Sequence, residues 1–366
     1  MTRPAQLVRD ASALRHNYRI ACERAPGARV YGIVKADAYG NGAGWAAKHL
    51  LAEGAPGFGV ATLEEAVELI ELGVDVPVLL LEGAIDGTEL AKSARLGCEL
   101  VIHTPEQLTE FTAFGVPYHA DVWLKVDTGM GRLGFAPESA AQAWSVLERA
   151  VEPGRLGLMT HFASAEDPDA GTTELQIRAL YEIADMVGTK RVSLANSAGL
   201  LGDWSCHHEG FQSLARPGIM LYGISPDRAR TGVSLGLRPV GTFRSSLISV
   251  KPLPKGSGVG YGSKWIAERD STVGIVAAGY ADGFPRHITP DAQVLVHDTH
   301  VPIIGAVSMD MLAVDLTDLT SPCLGDEVVL WGERNPIEHV AERAGTIGYE
   351  LACRISKRVY RMDVPD

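Results

Sequence analysis

The sequence predicts an α/β protein: a (β/α)8 TIM-type barrel followed by a smaller, mostly β C-terminal domain. Three observations carry this. Short apolar, β-branched runs recur along the first part of the chain, too brief for helices and continuous enough to be buried on both faces. Amphipathic stretches of helical period separate most of them. After about residue 228 that period fades, and β-rich segments punctuated by Gly and Pro take over.

The strand candidates are 29–34, 57–61, 77–82, 98–102, 121–127, 156–161, 191–196 and 218–222, with helices such as 63–72, 138–151 and 172–187 between them. Eight runs alternating with helices suggest a closed barrel. A doubly wound open sheet would carry a phosphate fingerprint after its first strand, and the sequence has none. The later β segments are 237–252, 272–280, 293–297, 300–307, 312–316 and 327–331, with a short helical piece at 336–343. A chain of 366 residues exceeds one ordinary core. The expected division is therefore 1–230 for the barrel and 231–366 for the β domain.

Thirty-three basic and 45 acidic residues leave a formal charge of -12, which argues against a nucleic-acid or anionic-membrane partner. It does not argue against a phosphate ligand, because a site can be locally positive. Five scattered cysteines without a CxxC pair fit free thiols in a reducing compartment. No signal-peptide pattern opens the sequence, and no run approaches the roughly 20 apolar residues of a membrane span. The expectation is a cytoplasmic protein.

Polar residues collect at the carboxyl ends of the predicted strands: Lys35, Glu82, His103, Asp127, His161, Asn196 and Ser197. In a barrel those ends share one face, where such folds place their chemistry. Lys35 directly follows the buried run 30–34. An amine there loses hydration, so its neutral, nucleophilic form becomes easier to reach. The plainer alternative is a lysine whose stem packs while its head reaches solvent.

The surrounding motifs decide between them. Val34-Lys35-Ala36-Asp37-Ala38-Tyr39-Gly40 resembles the hallmark of the alanine racemases. In order along the chain follow Asp127-Thr128-Gly129-Met130-Gly131-Arg132, Thr160-His161-Phe162, Asn196-Ser197 and Arg216-Pro217-Gly218-Ile219. Val259-Gly260-Tyr261-Gly262, Gly279-Tyr280-Ala281-Asp282-Gly283 and Ser308-Met309-Asp310 complete the series. The resemblance runs from the first barrel strand to near the C-terminus.

It implies pyridoxal 5'-phosphate held as an imine on Lys35. The cofactor takes up the charge left when the α-proton of alanine departs, and the protein supplies orientation and bases. Inverting the centre needs proton removal on one face and delivery on the other, hence two bases. The resemblance makes Lys35 one and Tyr261 the other. A tyrosine with a pKa near ~10 pays roughly 4 kcal/mol to be a phenolate at neutral pH, so nearby cations are needed; His161 and Arg216 are the candidates.

The resemblance also assigns Arg216 to the pyridine nitrogen. A guanidinium only donates, so that nitrogen stays unprotonated. Tyr39, Ser197, Gly218 and Ile219 match phosphate contacts, with Asn196 beside them. Arg132 matches a residue near the substrate carboxylate. Lys125 matches a lysine that is carbamylated in many members. Tyr280, Met309 and Asp310 match the substrate side and entrance. In the family the second domain reaches the barrel mouth of the partner subunit, which implies a homodimer with Tyr261 acting in trans. One departure stands out: where many members carry a tyrosine touching the phosphate, this sequence has Lys357, with Tyr360 three residues on.

The implied function is interconversion of L- and D-alanine, supplying D-alanine for peptidoglycan. A racemase for another small amino acid such as serine is the nearer alternative. A non-catalytic pyridoxal phosphate carrier is the more distant one; it leaves 231–366 and Tyr261 unexplained. Amino-acid decarboxylases share the two-domain plan but lack the tyrosine of Val-Gly-Tyr-Gly. Cys206-His207-His208 and His297-Asp298-Thr299-His300 contain metal-ligand residue types without metal-ligand spacing, so no metal is expected. The glycines of 256–260 do not open a helix, which removes a nucleotide-binding reading.

Overall fold

The computed structural model describes residues 3–115, 118–202, 204, 208 and 210–365. Contacts group the chain into two units, one of Arg15–Ala38 and Gly42–Leu221, the other of Met1–Leu14, Tyr39–Asn41 and Tyr222–Asp366.

The first unit is a closed parallel barrel. Its strands are Arg29–Val30 continuing as Gly32–Ile33, then Phe58–Val60, Val78–Leu80, Glu99–Ile102, Val122–Lys125, Leu156–Met159, Arg191–Ser193 and Gln212–Ala215. Each pairs in parallel with the next. Closure comes from the first strand, which meets Leu214–Ala215 on one side and Phe58–Gly59 on the other. The strands are buried on both faces, which explains their unbroken apolar runs.

Local chemistry starts the outer helices where the sequence pattern puts them. Thr62 accepts from the Glu65 N–H, Asp86 from those of Thr88 and Glu89, and Thr104 from that of Gln107 ahead of a proline at the first helical turn. Tyr31, Leu79, Val101, Trp123, Met159 and Leu214 fill part of the barrel interior. The two aromatics leave no room for side chains beside them. A Cβ on Gly57 would come within 2.4 Å of the Tyr31 ring, and one on Gly157 within 2.6 Å of Trp123.

The eighth strand corrects the sequence reading. It is Gln212–Ala215, whereas Ile219–Tyr222 forms a 3-10 turn. The apolar run 219–222 is buried all round, and a short buried run looks the same to a periodicity argument whether strand or helix. Pro217 contributes no N–H to a ladder, while Ser213 and Gln212, polar and unpromising, pair with Val192 and Arg191.

The second unit is built on an eight-stranded sheet ordered Ser271–Val276, Leu312–Asp315, Thr299–Ile304, Gln293–Val296, Glu327–Trp331, Gly241–Leu253, Gln6–Arg9 and Tyr360–Asp363. Gly241–Leu253 also pairs with Ser271–Val276, closing the first six strands on themselves. The long strand accommodates this by a register shift between Leu247 and Ser249. Gln6–Arg9 pairs antiparallel with the start of the long strand and parallel with Tyr360–Asp363. Among the described residues no helix is long and apolar enough to cross a membrane.

Candidate active site

Lys35 is half-buried, two residues beyond the strand Gly32–Ile33. Directly after it the backbone turns left-handed: Ala36, Asp37, Ala38 and Tyr39 have φ of 52°, 53°, 52° and 52°. None is a glycine, and each such residue costs about 1–2 kcal/mol. Side chains within the barrel unit hold the strained turn. Glu65 accepts from the Ala36 N–H at 2.6 Å and the Ala61 N–H at 2.8 Å, and Asp37 accepts from the Ala43 N–H at 2.8 Å. Strain kept at one point by surrounding bonds marks functional positions.

Arg216 is buried at the end of the last strand, with both terminal nitrogens of its guanidinium on neutral partners. It donates to Ser193 Oγ, to the Thr160 carbonyl at 2.7 Å and to the Leu194 carbonyl at 3.3 Å, with His161 Nδ1 at 3.4 Å. Burial pulls its pKa down to about 10, which leaves it charged at neutral pH.

His161 is pushed to about 2, first by burial and then by Arg216, Lys125, Arg132 and Lys35. Its Nε2 faces the Asn196 amide nitrogen at 3.3 Å. That amide is oriented, because Asn196 Oδ1 caps the helix Ser197–Leu201 by accepting from Gly199 at 2.9 Å. Each ring nitrogen thus faces a donor and neither faces an acceptor, which opposes a second ring proton; the neutral imidazole accepts from one of the two. This corrects the expectation that His161 could supply positive charge; Arg216 can.

Lys125 is buried on its strand and lowered to about 8, by burial and then by Arg216, Arg132 and Lys35, with Asp127 acting the other way. Asp127 organises the next loop. One of its oxygens accepts from the N–H groups of Gly129, Met130 and Gly131 at 2.9–3.0 Å. Burial raises its pKa, and these donors outweigh that and lower it. Gly134, at φ 130°, lies where a Cβ would meet the Asp127 nitrogen at 2.5 Å. The exposed Arg132 is thus carried on a loop tied at both ends to the Lys125 strand, through Phe135 N to Lys125 O and Asp127 N to Phe135 O, each 2.9 Å.

Ser197 Oγ accepts from the N–H groups of Gly218 at 2.8 Å and Met220 at 3.3 Å, which leaves its own proton to donate. The Gly218 N–H is therefore already paired with Ser197. Ile219 is fully buried behind it. In a chain of net charge -12, four cations acting on one imidazole make a locally positive site suited to phosphate and carboxylate.

The remaining candidates lie in the second unit. Tyr39 is buried and packs against Tyr222 and Tyr349, with ring centroids at 4.8 and 6.1 Å; burial, then Tyr349 and Cys353, pushes its hydroxyl far above the usual range. Tyr261 stands on a tight turn between the paired segments Gly258–Val259 and Trp265–Ile266. Gly260 and Gly262, both at φ 71°, permit that turn, and Tyr261 is 76% exposed. Tyr280 and the exposed Met309 lie on adjacent segments, bonded from Tyr280 N to Ser308 O at 3.1 Å. Asp310 pairs with Arg358 at 2.8 Å, while Lys357 and Tyr360 are exposed. His297 is paired with Asp326 at 2.8 Å; Cys206 and His207 lie outside the described residues.

Comparison with known proteins decides what these features belong to. Residues 10–226 match the family model "Alanine racemase, N-terminal domain", and residues 240–363 match "Alanine racemase, C-terminal domain". The chain belongs to the alanine racemase family. An alanine racemase of Stutzerimonas stutzeri is 42% identical over 98% of this chain and 99% of its own, and a catabolic alanine racemase of Pseudomonas putida is 44% identical over 98% of each. Among solved structures, the biosynthetic alanine racemase of Pseudomonas aeruginosa superposes with a TM-score of 0.92 at 41% identity, covering all of both chains. The alanine racemase of Bartonella henselae, described with covalently bound pyridoxal phosphate, gives 0.88 at 28% identity over 99% of each chain.

As a member of the alanine racemase family the chain is an enzyme, and Lys35 immediately precedes the strained turn just described. Several contributors escaped the sequence reading. Ser193 accepts from Arg216 and donates its own hydroxyl hydrogen bond to the Leu214 carbonyl at 2.7 Å. Gln176, wholly buried, donates to the His161 carbonyl at 2.9 Å and accepts from Ala163 at 3.0 Å. Glu65 anchors the turn after Lys35. All three sit inside regular elements, where only the absence of an apolar residue could have flagged them.

Proposed function

We propose that this protein is a homodimeric, pyridoxal phosphate-dependent alanine racemase that interconverts L- and D-alanine with two bases. The observation that carries the proposal is the cluster of Lys35, Lys125, Arg132 and Arg216 acting on the neutral His161. A half-buried amine, a buried guanidinium and a hydroxyl donor are the groups that would hold an aldehyde, a ring nitrogen and a phosphate, so the donor set fits the cofactor. When bound, pyridoxal phosphate supplies the conjugated ring that accepts the charge left by the departing α-proton.

The chain's own residues do the rest. Lys35 is the tether and, once released by substrate, the base for D-alanine. Tyr261, contributed by a second copy of the chain, is the base for L-alanine. Arg216 would donate to the ring nitrogen and, having no acceptor, would keep it unprotonated. Ser197, with Tyr39, Gly218, Ile219 and Asn196, is assigned to the phosphate, and His161 stands between Asn196 and Arg216 without adding charge. Arg132 takes the substrate carboxylate, and Tyr280, Met309 and Asp310 border the substrate.

Lys125 is proposed to carry a carbamate. Carbamylation needs a neutral amine, and a pKa of about 8 makes one available near neutral pH. The modification would replace a cation among cations with an anion facing Arg132. The proposed role is supply of D-alanine for peptidoglycan in the cytoplasm.

Incubating the holoenzyme with each small L-amino acid, followed by chiral separation, tests the proposal. D-alanine forming faster than any other D-amino acid is the expected result. Faster conversion of serine would transfer the assignment to that substrate, and no conversion of any would overturn it.

A further inference from the structure

The second unit contains an ionic cluster, with no assigned role, built on one buried carboxylate and three partly exposed partners. Asp282, whose side chain is fully buried, accepts from Arg3 Nε at 3.0 Å, Arg3 Nη2 at 2.5 Å and Arg358 Nε at 2.8 Å. It also accepts from the Gly279 N–H at 2.9 Å, and its own carbonyl receives the Ser356 N–H at 3.2 Å. Both arginines continue to one neighbouring loop. Arg3 donates to the Asp310 carbonyl at 3.0 Å, and Arg358 reaches the Asp310 carboxylate at 2.8 Å and the Met309 carbonyl at 3.4 Å.

The two segments so joined are already in tight contact. Tyr280 and Ala281 donate their N–H groups to the Ser308 and Met309 carbonyls at 3.1 and 3.0 Å. A Cβ on Gly279 would come within 2.4 Å of both carbonyl oxygens, so only glycine permits this approach. Parts of the sequence around residues 3, 280 and 358 meet at one carboxylate, and the two arginines extend the link to residues 309–310. The carboxylate of Asp282, being fully buried, requires such cationic partners.

We infer that Asp282, Arg3 and Arg358 are positioning residues that hold Tyr280 and the Met309–Asp310 loop in one fixed arrangement and thereby set substrate selectivity. This rests on the proposed placement of Tyr280, Met309 and Asp310 beside the substrate.

Steady-state racemisation of alanine and serine by the full-length holoenzyme tests the inference. The variants are Arg358→Gln, Arg358→Lys, Asp310→Asn and Met309→Ala. A loop displaced from its place costs kcat/KM between about 10- and 100-fold. For Arg358→Gln we expect that loss to fall mainly on KM for alanine, with a lower alanine-to-serine ratio and the pH dependence of kcat retained. Arg358→Lys keeps the charge and should recover part of the loss. Adding Asp310→Asn to Arg358→Gln should cost less than the two single losses combined, as for residues in one network. If Arg358→Gln does not fold, a raised KM in Arg358→Lys or Arg3→Lys carries the same weight. Unchanged KM and selectivity in every folded Arg3 or Arg358 variant, while Met309→Ala or Asp310→Asn alters them, overturns the inference and leaves the functional reading standing. If Met309→Ala and Asp310→Asn leave alanine kinetics unchanged, their placement beside the substrate fails and the inference fails with it.

Discussion

Arg216 Nη2 lies 3.4 Å from His161 Nδ1 while donating to the Thr160 carbonyl at 2.7 Å. The pair concentrates charge on one partner: the arginine is cationic and the histidine beside it is not. Holding the imidazole neutral has a measurable consequence. Its pKa falls from an ordinary 6.5 to about 2, so between those values the unfolded chain binds the proton and the folded one does not. Stability contributed by this site is complete above pH 6.5 and declines as the pH falls. Denaturant unfolding of wild type and His161→Gln should therefore show the wild type losing its advantage between pH 7 and pH 5, by up to about 1.4 kcal/mol per unit below 6.5. An advantage that grows on acidification would show that His161 is protonated in the fold.

Ser193→Ala removes an acceptor from the buried Arg216 guanidinium. An unmet buried donor costs about 1–3 kcal/mol, so the variant should melt lower than wild type and racemise more slowly. Thermal unfolding and kcat measured on the same preparation check both. Full stability with full activity would mean that the carbonyls of Thr160 and Leu194 suffice.

The left-handed turn after Lys35 invites a paired substitution at Ala36, which is exposed and so free of packing effects. Ala36→Gly relieves the positive φ and should leave stability equal or slightly higher, the gain offset by the added freedom of the unfolded chain. Ala36→Val, β-branched, should lose more than about 1 kcal/mol and bind the cofactor more weakly. Cofactor absorbance and melting temperature distinguish the two; a valine variant like wild type would show that the turn stores no strain.

Lys125 should take up carbon dioxide. With 13C-bicarbonate at pH 8, a carbamate carbon resonance is expected in wild type and should be absent from Lys125→Arg. It should fade as the pH falls below about 8, where the amine is protonated. A wild-type spectrum without that resonance would leave Lys125 as an amine or ammonium.

Much of this was legible in the sequence because buried parallel strands write themselves as short apolar runs, and because glycines at positive φ mark turns such as that of Tyr261. Gln212–Ala215 was not legible, since its pairing partners rather than its own residues make it a strand. The turn at 36–39 carries no glycine, so nothing in its composition announces a left-handed backbone. The neutrality of His161 depends first on its burial and then on four cations from distant strands and loops, and the cluster at Asp282 on residues up to 279 positions apart. Such facts exist only once the chain is folded.

The account turns on two bases serving opposite faces. Exchange of the α-hydrogen with D2O, followed separately for L- and D-alanine in the Tyr261→Phe holoenzyme, tests this most directly. Racemisation should fall by at least about 10²-fold, with exchange lost for L-alanine and retained for D-alanine through Lys35. Equal loss for the two enantiomers, or racemisation at the wild-type rate, would contradict it.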